Sequence, residues 1–154
     1  MSEITNEIVL STVDSATLAN KISGMGEGVQ GFYSSIEGDD FETKLVVLEA
    51  MTDSVPVSEN LNKVIEVENI IVQQVDMLEE RTGEMKAQPR VILIDVKGIA
   101  YHAISAPLFR DVENWLGMLG KPSTWAGPLP VKITKAGSGQ SQYFKASISR
   151  SPKK

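Results

Sequence analysis

Apolar and polar residues change rhythm several times along the chain, and each rhythm predicts an element. A long β-rich run extends from Val64 to Leu78, and at its start Val64, Glu66 and Glu68 alternate with Ile65, Val67 and Asn69, the period of two expected for a half-buried strand. Lys44 to Met51 is apolar and β-branched and also reads as β, set off from that run by the turn-like Asp53-Ser54-Val55-Pro56. Glu79 to Gly83 is a polar turn, Pro89 marks the start of the next strand, and Val91-Ile92-Leu93-Ile94, apolar on both faces, belongs at the centre of a sheet. Asp95-Val96-Lys97-Gly98 puts glycine where a short hairpin needs a positive φ. The returning strand, Ile99 to Ile104, sets Ile99, Tyr101 and Ala103 on one face and Ala100, His102 and Ile104 on the other.

The period then lengthens. Ser105 is placed as an N-cap, Pro107 suits a first turn, and Leu108, Val112, Trp115, Leu116 and Leu119 form an apolar stripe at helical spacing that Gly120 and Pro122 terminate. Leu129 to Lys135 and Gln142 to Ser149 read as two closing strands around the turn Ala136 to Gln140. The first 40 residues are weakly patterned: Ser15 opens a short helix with Leu18 and Ile22 on one face, and Gly24, Gly26 and Gly28 stop it. That glycine stretch has no preceding strand and no following Gly-Lys-Ser/Thr, so it reads as a connector and not as a phosphate loop.

Three strands, a helix and two strands is the order of a mainly β, five-stranded Greek-key OB-fold barrel with its helix between the third and fourth strands. A generic α+β sheet with one helix on its face is the competing architecture. The division expected is an acidic, loosely ordered N-terminal arm over residues 1–40 with a short helix near 15–23, an OB-fold domain over 41–149, and a basic tail over 150–154.

Charge sharpens this picture. Up to Glu84 there are 17 acidic against 4 basic side chains, and from Met85 onward 3 against 11, so the formal net charge of −5 conceals a basic module. Positive charge over strand-rich sequence is the footprint of a protein that touches polyanions, unless the acidic part merely neutralises it across one surface. The chain has no cysteine and a single histidine, His102, which excludes disulfides and cysteine- or histidine-rich metal sites, and no cofactor site is read. The first residues lack the pattern of a signal peptide and no apolar run spans a membrane, so a cytoplasmic location is expected.

The run Val91-Ile92-Leu93-Ile94-Asp95 with Gly98, Tyr101, Ser105 and Gly120, then Pro128-Leu129-Pro130-Val131-Lys132-Ile133 and Tyr143-Phe144-Lys145, resembles a family of small phage-encoded single-stranded DNA-binding proteins. The resemblance runs from about Lys44 to Ile148. It implies an OB fold, no catalysis and coating of single strands during phage DNA replication, in the host cytoplasm. Better-known bacterial proteins of this functional class end in an acidic, partner-recruiting tail, whereas this chain ends in Arg150, Lys153 and Lys154.

Sequence-tolerant binding of single strands needs cations along the backbone and aromatic faces for the bases. With Phe144, Ala146 and Ile148 turned inward, Tyr143, Lys145 and Ser147 face out, beside Lys132 and Thr134 on the neighbouring strand and Lys135 at its turn. Tyr101, Trp125, Lys97 and Arg90 complete the candidate nucleic-acid-binding set, with core packing the competing role for Tyr101 and capping of the barrel end for Trp125. Trp115 belongs to the helix stripe and to the core. Two other functions compete. Asp95-Val96-Lys97, with Asp76 as a second carboxylate, matches the short element of a Mg²⁺-dependent nuclease, although Asp-x-x-Gly is also a common hairpin turn. The acidic region, including Glu27, Glu37, Asp39, Asp40 and Glu42, suits a DNA mimic or a contact for replication proteins.

Overall fold

A computed structural model of the chain describes residues 15–23, 31–139 and 142–150. The glycine connector, Glu27 and the tail beyond Arg150 lie outside the described residues, as does the side chain of Ser15. In chain order the elements are α1 (Ser15–Ser23), β1 (Phe32–Ser34), α2 (Phe41–Thr52), β2 (Val55–Pro56), β3 (Val64–Glu79), β4 (Glu84–Asp95), β5 (Ala100–Ile104), α3 (Ala106–Leu119), β6 (Leu129–Ala136) and β7 (Tyr143–Ile148). The strands form one curled, seven-stranded sheet in the order β2-β5-β4-β3-β6-β7, with β1 also on β3. The five strands expected from the sequence are therefore joined by β1 and β2, short pieces whose two or three residues carry too little alternation to be read.

The curl originates in β3. One edge pairs with β4 from Val67 to Glu79, while the other is shared between β6, along Val64–Val67, and β1, along Ile71–Gln73. A register shift between Val67 and Asn69 bends the strand where its partners change. Inside the curl lies the main core, where Ile65, Ile70, Val72, Val91, Leu93, Val131 and Ile133 meet Leu108, Phe109 and Val112 of α3. Trp115 and Leu116 are half-buried against it, while Leu119 stands exposed at the helix end. The helix starts as its sequence predicts: Leu108 N–H donates to Ser105 Oγ at 3.1 Å, and Gly120 closes it at φ +79°.

Leu18 and Ile22, placed in a loosely held arm, are fully buried in the main core, so the segment that carries them is part of the packing. The short helix was legible because those residues lie one turn apart; its docking was not, because the apolar surface that receives it comes from β3 and β4.

Lys44 to Met51 is helical, within α2, and not β. Its apolar residues run almost without interruption, so no helical period is visible, yet Leu, Glu, Lys, Ala and Met are all good helix formers. Val47, Ala50 and Met51, at i, i+3 and i+4, rest on a second cluster on the outer sheet face, formed by Ile71, Ile92, Ile94 and Ala100 with Phe32 and Ile36. That packing overrides the β propensity of the two valines.

Pro89 lies within β4 instead of starting it. The site tolerates proline because β5 stops opposite Arg90 and the Pro89 carbonyl takes the N–H of Ser105 at 3.1 Å.

Candidate nucleic-acid interface

The β6–β7 ladder positions the outward side chains. Lys132 lies opposite Ser147, Thr134 opposite Lys145 and Ala136 opposite Tyr143, and these pairs share one face; Val131–Ile148, Ile133–Ala146 and Lys135–Phe144 share the other. Val131 and Ile133 are buried in the main core, which turns the first set outward. Opposed residues on one face stand about 4.5–5.5 Å apart between Cβ atoms, and successive pairs repeat at about 6.8 Å along the strands. The result is a short strip with Lys132 at one end, Lys145 in the middle and Tyr143, 46% exposed, at the other. An aromatic face beside two ammonium groups can stack a base while the phosphates on either side are neutralised.

The remaining candidates are dispersed. Lys135 points to the Phe144 side of the ladder, not to the strip, and stands exposed at the strand end, where it borders a cleft with Tyr143. Trp125 sits in the loop at the opposite end of β6, half-buried, with its indole N–H donating to the Gly120 carbonyl at 2.8 Å. Lys97 is exposed on the β4–β5 hairpin near that same end, since Val96 N–H reaches the Glu66 carbonyl and Glu66 pairs with Pro130. Arg90 lies on the outer sheet face, where it donates to Gln73 Oε1 at 2.7 Å and to Ser54 Oγ at 3.1 Å. The Ser54 hydroxyl also meets His102 Nδ1 at 2.7 Å; burial first, and the Arg90 charge second, push the imidazole below its ordinary value.

Tyr101 has the role that the competing reading gave it. It is 3% exposed in the main core, its hydroxyl donates to Asp95 Oδ2 at 3.4 Å, and Lys63 Nζ stands 5.6 Å from its ring centroid. Burial, followed by the Asp95 charge, raises its phenol above the ordinary value. Its ring offers no free face to a base.

Asp95 is occupied by the hairpin. Its Oδ1 accepts the N–H groups of Lys97 and Ile99, both at 2.9 Å, and Gly98 turns the chain at φ +87°. Asp76, the other half of the nuclease reading, stands nine residues along β3 from Val67, the residue opposite Asp95, a separation of roughly 30 Å. These two carboxylates cannot share one cation. Gln88 and Gln142, which border the cleft beside Tyr143, were not legible as a pair, because 54 positions separate them and nothing in their spacing links them.

A curled β-sheet with lysines and an exposed aromatic ring on one face of two adjacent strands has the chemistry that suits an extended polyanion. The family model described as phage single-stranded DNA-binding protein matches residues 27–149, most of the chain, and the protein belongs to that family. It binds single-stranded DNA in phage replication, as the sequence resemblance implied, in a family of non-catalytic DNA-binding proteins. No curated protein and no solved structure gives a significant match.

Proposed function

We propose that β3 to β7 form an open OB-type barrel that coats single strands with little sequence preference, phosphates lying along Lys132 and Lys145 and a base stacking on Tyr143. The observation that supports this most directly is the β6–β7 register, which puts those three side chains on one face over a buried one. Stacking accepts any base, and lysines follow the backbone without reading sequence. No step of bond-breaking enters this function, and Asp95 serves the hairpin. Among the described residues no helix is long and apolar enough to cross a membrane, and the host cytoplasm is the location that goes with phage replication. Titrating the intrinsic tryptophan and tyrosine fluorescence with oligothymidylate at two salt concentrations tests the reading, with a duplex control and Mg²⁺. Preference for the single strand and weakening by salt are expected; equal affinity for the duplex, or Mg²⁺-dependent cleavage, overturns it.

A second reading has its own observation. Glu37 Oε2 accepts from Ser123 Oγ at 3.0 Å and lies 3.6 Å from Lys121 Nζ, so an acidic side chain holds a cation as a phosphate would. The acidic segment then acts as a weak internal competitor or as a contact for basic replication proteins. Because the pair is exposed, its worth is on the order of 0–1 kcal/mol, and Glu37→Gln should tighten DNA binding by no more than about fivefold. Deleting the whole segment is a poor test, since the Leu18 and Ile22 packing would be lost with it.

A further inference from the structure

The sheet is not sealed between β5 and β7. The free edge of β5 is taken by β2, at Tyr101 and His102, and among the described residues β7 pairs with β6 alone. At the Ile104 end of this seam a cleft of about 390 Å³ lies between the start of α3 and the start of β7. Its wall on one side is Ser105 and Ala106, on the other Tyr143 and Lys135, with Gln88 and Gln142 at its rim.

We propose that this cleft receives one base of the bound single strand, with its phosphate on Lys135. The inference rests on the single-strand reading above and adds a place for a base that lies off the outer strip. Three observations support it. The volume falls within the range of small-molecule sites. Tyr143 belongs to both surfaces: it ends the Lys132–Lys145 strip and forms a wall of the cleft, so a strand running along the strip arrives at the opening.

The chemistry of the lining is the third. Among the described residues no acidic residue lines this cleft and one lysine does, whereas of two clefts beside Trp125 one is bordered by Glu68 and neither by a lysine. Gln88 and Gln142 each offer a donor and an acceptor on a rotatable amide, so they satisfy the hydrogen-bonding edge of any base without selecting one. Lys135, out of register with the strip, gains a role that its position otherwise lacks.

Filling the cleft tests this in the full-length protein. Ala106→Phe, at the first helical position of α3, should weaken binding to oligothymidylate roughly tenfold, the order of one lost stacking contact. Binding to an abasic oligonucleotide of the same length should not change, since that ligand has no base to insert. Wild-type affinity of Ala106→Phe for oligothymidylate, in a protein that still loses affinity on Lys145→Glu, overturns the cleft and leaves the single-strand function intact. Absence of single-strand binding by the wild type overturns the function itself. Should Ala106→Phe fail to fold, the double variant Gln88→Ala/Gln142→Ala decides, a several-fold loss confined to the base-bearing oligonucleotide supporting the cleft and unchanged binding rejecting it.

Discussion

Tyr143 and Tyr101 belong to the same sheet, and burial separates their roles. Tyr143→Ala should lower affinity for oligothymidylate roughly tenfold with little change in stability, because the ring is half in solvent and its proposed work is stacking. Tyr101→Ala should do the reverse, destabilising the protein by about 3–5 kcal/mol as the loss of a core aromatic does, which a urea melt reads directly. If the Tyr143 variant binds as well as wild type, the strip is not the stacking surface. His102 gives a prediction of a different kind. In the folded state burial, and after it the Arg90 charge, hold its pKa below the ordinary imidazole value of about 6.5, so the unfolded chain binds the proton more readily. Stability from this group is therefore complete above about pH 6.5 and is lost as pH falls from there toward the folded value. The melting temperature of wild type should drop more steeply between pH 7 and pH 5 than that of His102→Gln, whose amide can still take the Ser54 hydrogen bond. Equal slopes would show that the imidazole does not titrate differently in the two states.

Elements that carry their own instructions were legible in the sequence, and elements defined by a partner were not. The Asp95–Gly98 hairpin has its carboxylate and its glycine within four residues, and α3 has its cap, its proline, its stripe and its terminating glycine, so both are found where the pattern puts them. The outward parity of Tyr143 with Lys145 was legible for the same reason, since alternation is local. By contrast α2 has no buried residue and hides only a narrow three-residue contact, so its nature is set by the outer face of β3, β4 and β5 on which it rests. The cleft beside Tyr143 joins residues from β4, α3 and β7, a conjunction that exists only once the sheet has curled. The β3–β4 ribbon adds a prediction at this scale. Beyond the Gln74–Pro89 pair the ladder of the two strands is with each other alone among the described residues, and their tip exposes Met77, Leu78 and Met85. A lone two-stranded ribbon is marginal in water, so amides from Val75 to Lys86 should exchange with solvent far faster than those from Ile70 to Val72. Equal protection along the whole of β3 would mean that the tip is covered in solution.

A molecule of net charge −5 that binds a polyanion must do so through a local surface, against a repulsive whole. Part of the acidity is set away from the strip. Glu79, Glu80 and Glu84 stand at the tip of the ribbon, Asp39, Asp40 and Glu42 at the start of α2, while Lys132 and Lys145 lie on the opposite flank of the sheet, beyond β3. The boundary in charge near residue 84 is thus not a boundary between folded units: Glu66, on the negative side of it in sequence, pairs with Pro130, two residues from Lys132. Binding through the proposed lysine strip sets the expected response to salt. With two to four phosphates neutralised on a single strand, the logarithm of the association constant should fall with the logarithm of salt concentration at a slope of about −1.4 to −2.8. Removing Lys132 and Lys145 together by alanine substitution should make that slope shallower by about 1.4, because two phosphate contacts disappear while stacking on Tyr143 does not depend on salt. The same double variant should retain the preference for thymine oligonucleotides over their abasic counterparts. A slope unchanged in the variant would place the backbone elsewhere on the molecule, and a preference lost with the lysines would mean that the cations and the aromatic ring do not serve separate parts of the strand.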